Sequence, residues 1–200
     1  YVQFPSCRPS RACMMGGVRP DTLRLYGNGG AALSRRSKER LCALLPTLRI
    51  NDGMGKFIAE TTIKKMIEAD KPVKGGRVLV LGLTFKENVP DIRNTRVIDI
   101  IEELRSYGVE PLVHDPMADA DETRQEFGIE LIGLDGHEPF DAIVYAVPHS
   151  AYEAFSSKDF ARFCGTQDVS SHMSSGVVVD VKSRLDRAEI EGAGLVYWAL

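Results

Sequence analysis

Long apolar runs are missing from this 200-residue sequence, and no stretch approaches the length needed to cross a bilayer. The N-terminus lacks the apolar centre of a signal peptide. Cysteine is scarce, four in all, and no Cys-x-x-Cys pair or Cys/His cluster with zinc spacing occurs, so no structural metal is expected. Three of the four (Cys7, Cys13 and Cys42) lie in the first quarter, leaving only Cys164 beyond it. The body of the chain therefore carries no disulfide framework and suits a reducing compartment, which makes the cytoplasm the expected location. Excess positive charge is lacking too: a net charge of -3 argues against a nucleic-acid surface. The chain opens on Tyr1 rather than Met, so a fragment of a longer protein is expected.

What is present divides into two unlike parts. Residues 1–50 hold nine Lys/Arg against two Asp/Glu, whereas the remainder holds 16 against 26. Over residues 1–48 neither a period of two nor one of 3.6 persists, and Arg, Ser, Pro and Gly are frequent; an irregular segment is expected, with at most a helical turn over 40–48 interrupted at Pro46. From Asn51 order sets in. Asn51 or Asp52 can cap a helix carrying Met54, Phe57, Ile58, Thr61, Met66 and Ile67 mostly on one face, and the run from Lys71 to Gly76 ends it. Residues 49–74 are thus a linking helix, and residues 75–200 a domain.

That domain reads as strand 77–83, helix 95–107 stopped by Gly108, strand 109–114, helix 119–127, a short strand at 129–132, strand 141–147, weak helices over 150–163, strand 177–181 and a last strand near 195–198. Alternating strands and helices imply a parallel sheet with right-handed crossovers. The expected class is α/β, a doubly wound, Rossmann-like sheet; 44% hydrophobic residues suffice for one such core.

The most informative stretch is residues 77–96. An apolar strand ends at Gly82-Leu83, and a polar loop carrying Lys86, Arg93 and Arg96 leads to a helix. In open α/β sheets the crevice beyond the carboxyl ends of the strands binds ligands, and cations with helix amides there suit an anion. Lys86 can neutralise a diphosphate, and the Arg93 fork suits phosphate oxygens. Lys182, just past the strand at 177–181, is a third cation at the same edge, with Arg184 as its competitor. Asp91 is read as orienting the loop, and Thr95 as capping the helix. The loop is no Gly-x-Gly-x-x-Gly fingerprint, and Asp115 lies too far on to be the ribose acid of that motif, so Asp115 before Pro116 is assigned as a turn former. His137, His149 and His172 stand isolated, His149 at a helix start, and Trp198 reads as core or an interface plug.

Gly82, Leu83, Phe85, Lys86, Asp91, Arg93 and Thr95 fall on a pattern that resembles the C-terminal domain of the UDP-glucose/GDP-mannose dehydrogenase family. Glu87-Asn88 before Pro90-Asp91, and Asn94-Thr95 after the arginine, resemble the branch acting on UDP-N-acetylhexosamines. Residues 49–56 are similar to the family's entry into the preceding helix. The resemblance implies NAD-dependent oxidation of the sugar C6 hydroxyl to a carboxylate for polysaccharide precursors, with an aldehyde captured by a cysteine. It implies that Lys86, Phe85 and Lys182 bind the UDP-sugar and that Arg93 faces NAD held mainly by another domain. It also implies a homo-oligomer when intact.

The NAD domain and the family's cysteine motif are missing from the chain: Cys13 precedes Gly16-Gly17, while Gly29-Gly30 leads to alanines. A shifted reading frame over residues 1–48 would explain this, and a divergent tail is the alternative. No catalytic residue is therefore assigned, and the chain alone is expected to be inactive. A stand-alone nucleotide-binding or interaction domain without chemistry is the competing class. A response-receiver module is disfavoured because Leu83-Thr84 and Pro148-His149 stand where its acids belong.

Overall fold

Four-residue runs such as Val78-Leu79-Val80-Leu81 are too short and too branched for a helix, and they become the centre of a sheet. The structure, a computed structural model, describes residues 46–166 and 175–200, with side chains from Gly53 onward. The irregular segment, its cysteines and His172 therefore lie outside the described residues. Met54–Leu200 forms a compact unit.

Helix α1 (Pro46–Glu68) leads to β1 (Arg77–Leu81), α2 (Val97–Ser106), β2 (Glu110–His114), α3 (Ala120–Phe127) and β3 (Ala142–Tyr145). A 3-10 turn (Ser150–Tyr152), α4 (Ser157–Phe163), β4 (Val177–Asp180), α5 (Arg187–Gly192) and β5 (Val196–Ala199) complete it. The strands pair in the order β2-β1-β3-β4-β5, all parallel. The expected doubly wound sheet is therefore present.

Alternation along each strand divides the core. Val78, Val80, Ala142, Val144, Val177 and Val179 face α1 and α2, where Ile58, Ile63, Met66, Ile101 and Leu104 meet them. Leu79, Leu81, Ile143, Tyr145 and Val178 face the other way, onto Tyr152, Phe160, Phe163 and Ile190. Each fully buried Val or Leu contributes about 1.5–3 kcal/mol of transfer free energy, so β1, with four such residues, is the best-anchored strand.

Several expectations are corrected. Helix α1 is described from Pro46, so Asn51 and Asp52 lie within it and neither caps it. Ile58, Thr62 and Met66 form its buried face, while Phe57 and Ile67 are exposed. Helix α2 begins at Val97, two residues later than expected. Residues 129–132 form no strand, only one parallel bridge from Leu131 to Val113. Helix α5 was not foreseen. It is capped by Asp186, whose carboxylate accepts from the Glu189 N–H at 3.1 Å. No helix among the described residues is long and apolar enough to cross a membrane.

Candidate functional site

The strand order reverses direction between β1 and β3, because the chain leaves β1 toward β2 on one side and passes to β3 on the other. At such a switch point the two outgoing loops diverge and leave a crevice at the carboxyl edge. The loop after β1 (residues 82–96) and the loop after β3 (residues 146–149) flank it. Gly82 makes the turn with φ +90°, and a Cβ there would stand 2.5 Å from the Val147 carbonyl oxygen.

Behind the loop lies a buried polar node. Asp115, at the end of β2, accepts from the N–H groups of Leu83 (2.5 Å) and Thr84 (2.9 Å) on one oxygen. Its other oxygen accepts from the N–H groups of Met117 (2.7 Å) and Ala118 (3.0 Å). Those last two bonds form the turn expected of Asp115, but the first two tie the β1 loop to β2. His149 was read as isolated. Its side chain is fully buried instead, with Nε2 3.1 Å from the Asp115 carboxylate and 3.1 Å from Thr84 Oγ1. The Asn88 N–H donates to its Nδ1 at 3.0 Å, which leaves the proton on Nε2. Burial by itself would raise the Asp115 pKa, but His149 and the amides of Leu83, Thr84 and Met117 outweigh it and hold the carboxyl well below its usual range.

Asp, His and Thr in contact resemble a nucleophilic triad, yet the geometry denies that chemistry. Acid and hydroxyl share the same ring nitrogen, the other nitrogen is taken by a backbone amide, and the group is closed to solvent. A second buried acid, Asp180 at the end of β4, accepts from the N–H groups of Lys182, Arg184 and Leu185 and from the Tyr197 hydroxyl, shaping the β4 loop. Burial, with Asp180 alongside, pushes the Tyr197 hydroxyl up to about 12.

On the solvent side of this scaffold stand the cations. Lys86 and Phe85 are exposed on the β1 loop. Lys182 reaches across from the β4 loop to Glu87, with Nζ 3.2 Å from Oε1. The Glu87 carboxyl lies below its ordinary value chiefly through its own backbone hydrogen bond, then through Lys182 and Lys86, so these three side chains share one electrostatic neighbourhood. Arg93 keeps different company. Its Nε and Nη2 form a fork on the two oxygens of Asp91 (2.9 and 3.1 Å), and Glu122 on α3 is its other charged neighbour. Asp91 orients the loop as expected, since its carbonyl also accepts from the Phe85 N–H at 2.8 Å. Thr95 Oγ1 accepts from the Val97 N–H at 3.2 Å, a turn contact just ahead of α2, but Thr95 is not the cap expected of it: the N-cap position is Arg96, which makes no side-chain capping bond. Arg184 is exposed, held through its backbone. Trp198 is half-buried against the core, with its ring edge toward Phe57 at 6.0 Å. Sequence reasoning missed Glu87, Asn88 and His149 as parts of the site. A signal was available for His149: a polar ring directly after a wholly apolar strand needs partners.

Residues 79–187, more than half of the chain, match the UDP-glucose/GDP-mannose dehydrogenase family, UDP binding domain. Protein CapL of Staphylococcus aureus is 40% identical over 147 residues, covering 74% of this chain and 32% of CapL. The UDP-N-acetyl-D-glucosamine 6-dehydrogenase of Salmonella typhi is 43% identical over 120 residues, covering 60% of this chain and 28% of that enzyme. The chain thus spans about a third of the length of these relatives. Among solved structures, the NDP-N-acetyl-D-galactosaminuronic acid dehydrogenase of Methanosarcina mazei Go1 superposes with a TM-score of 0.64 at 22% identity, covering 94% of this chain and 35% of that one, a likeness of fold. The motif around Lys86, the parallel sheet and the extent of the match lead to one conclusion: the chain belongs to the UDP-glucose/GDP-mannose dehydrogenase family, as its UDP binding domain.

Proposed function

We propose that the carboxyl edge between β1, β3 and β4 holds the diphosphate of a UDP-N-acetylhexosamine. In the whole protein, this domain then serves the NAD-dependent oxidation of the sugar C6 hydroxyl to a carboxylate, for polysaccharide precursors. The observation that carries the reading is the Lys182 ammonium reaching across from the β4 loop to Glu87, the residue next to Lys86 on the β1 loop. Two ammonium groups there can meet two phosphate charges, and the exposed Phe85 ring offers a face to a base or sugar. The N-acetylhexosamine branch is supported by the 43% identity to an enzyme named for UDP-N-acetyl-D-glucosamine.

The described residues do not by themselves fit NAD. The turn at Gly82 is filled by Val147, and the acid at the end of β2 is already occupied by five hydrogen bonds. NAD is therefore assigned to another domain, and Arg93, exposed on the loop, is the contact this chain offers it. Nor can the one cysteine among the described residues capture an aldehyde: Cys164 is buried, and that burial pushes its thiol up to about 12. Phe57 and Ile67, exposed on α1, suit cover by a second subunit or the NAD domain, so a homo-oligomer is part of the same reading.

Calorimetric titration of the chain with UDP, UDP-GlcNAc and NAD tests this. Saturable binding of the two uridine ligands is expected, with no NAD binding and no NAD reduction. Lys86→Ala should weaken UDP by about tenfold or more, since a charge-assisted hydrogen bond is worth roughly 1.5–3 kcal/mol. Unchanged UDP affinity in that variant would remove the basis of the reading. Glu87→Gln should act in the opposite direction. It releases Lys182 from an exposed ion pair worth at most about 1 kcal/mol, so UDP affinity should rise by no more than about fivefold. A fall in affinity would mean that Glu87 itself contacts ligand.

A further inference from the structure

We propose that His149 is a positioning residue for Lys86, holding both ends of the arch formed by residues 84–88 on the two nitrogens of one imidazole. The proposal rests on the reading of Lys86 as a ligand contact. At one end of the arch, Thr84 Oγ1 lies 3.1 Å from His149 Nε2; at the other, the Asn88 N–H donates to Nδ1 at 3.0 Å. Lys86 sits midway. Its own carbonyl accepts from the Thr84 hydroxyl at 3.2 Å, so the backbone that bears the ammonium group is tied to the same node.

The donors and acceptors run without conflict. Nδ1 is an acceptor, so Nε2 carries the proton and shares it between Asp115 and Thr84. Thr84 then has its own proton free for the Lys86 carbonyl. A third tie fixes the arch to the β3 loop: Asn88 Oδ1 accepts from the Ser150 N–H and hydroxyl, both at 2.9 Å, with Asn88 in the left-handed region at φ +57°. An ordinary core histidine fills space and satisfies its nitrogens wherever partners happen to lie. Here both nitrogens go to opposite ends of one exposed loop, and Asp115 backs the ring from β2. The long, flexible Lys86 side chain thus starts from a fixed root, which lowers the ordering needed when a ligand binds.

Three variants of the full chain separate positioning from core filling: His149→Phe keeps the ring volume and loses both polar ties. His149→Asn places an acceptor where Nδ1 was and keeps the Asn88 end. His149→Gln places a donor where Nε2 was and keeps the Thr84 and Asp115 end. Two readouts are needed: amide hydrogen exchange over residues 84–88 without ligand, and calorimetric titration with UDP. In His149→Phe the arch amides should exchange at least about tenfold faster while those of β1 stay protected, and UDP affinity should fall by about tenfold. Asn and Gln should lie between Phe and wild type on both readouts.

Wild-type exchange of the arch in His149→Phe would overturn the proposal, as would Asn and Gln variants no better than Phe. If Phe fails to fold, wild-type exchange in both Asn and Gln variants overturns it equally. If the wild-type chain does not bind UDP, the functional reading fails, and the exchange data still decide the positioning role.

Discussion

Replacing Asp115 by Asn should lower the unfolding free energy by about 3 kcal/mol or more at neutral pH, in the range for breaking a buried charged network. The substitution preserves shape, so no cavity forms. What changes is that one oxygen becomes an amide donor facing donors. In either orientation, the new N–H₂ group confronts the amides of Leu83 and Thr84 with the His149 ring, or those of Met117 and Ala118. Buried donors left without acceptors cost about 1–3 kcal/mol each. Relief of the buried negative charge offsets part of this, but five hydrogen bonds to one carboxylate make the loss larger than the relief.

The pH dependence gives an independent check. The folded-state pKa of Asp115 is lowered from its ordinary value of 3.8, so its contribution is present in full above that pH and is lost as pH falls through the folded-state value. Urea unfolding at pH 7 and pH 3 should therefore show the gap between wild type and Asp115→Asn narrowing in acid. A gap independent of pH would mean that the carboxylate charge plays no part in holding the loops.

The fold was legible because a parallel sheet buried on both faces writes itself as short apolar runs, and residues 78–81, 142–145 and 177–179 are such runs. Element ends were less so. A six-residue helix such as α5 has too few turns to show a period, and only the Asp186 to Glu189 spacing betrays it. The cations of the site were visible because Lys86 and Arg93 lie on the loop that follows β1, and Lys182 on the loop that follows β4. The node behind them was not. Asp115 and His149 are 34 residues apart, and Glu87 and Lys182 are 95 apart. No local pattern encodes those meetings; they arise from the strand order, which carries the ends of β1, β2, β3 and β4 to one edge. Asp115 shows the difference well, because its local role as a turn former follows from the proline beside it, whereas its larger role depends on topology.

Gly82→Ala is expected to be the most damaging single-methyl change at the crevice. Two effects combine. At φ +90° the backbone lies outside the narrow left-handed well near +57°, which an alanine visits only with strain of about 1–3 kcal/mol. The added Cβ would also lie 2.5 Å from both the Cβ and the carbonyl oxygen of Val147. Neither side can retreat easily. The Gly82 N–H is held by the His114 carbonyl at 2.8 Å, and the Val147 N–H by the Leu81 carbonyl at 3.1 Å, so relief means breaking β1 from β2 or the β3 loop from β1. Overpacking of this kind adds roughly another 1–3 kcal/mol. At about 2–4 °C per kcal/mol for a chain of this size, the melting temperature should fall by roughly 10 °C.

Gly75→Ala isolates the two contributions. Gly75 also has positive φ, +76°, but nothing lies within 4 Å of its would-be Cβ, so only conformational strain applies. The Gly82 variant should therefore lose about twice as much stability as the Gly75 variant, and should lose UDP binding as well, because displacement at Val147 moves His149 two residues on. Equal losses in the two variants would show that backbone conformation alone, and not the close approach of the β1 and β3 loops, reserves this position for glycine.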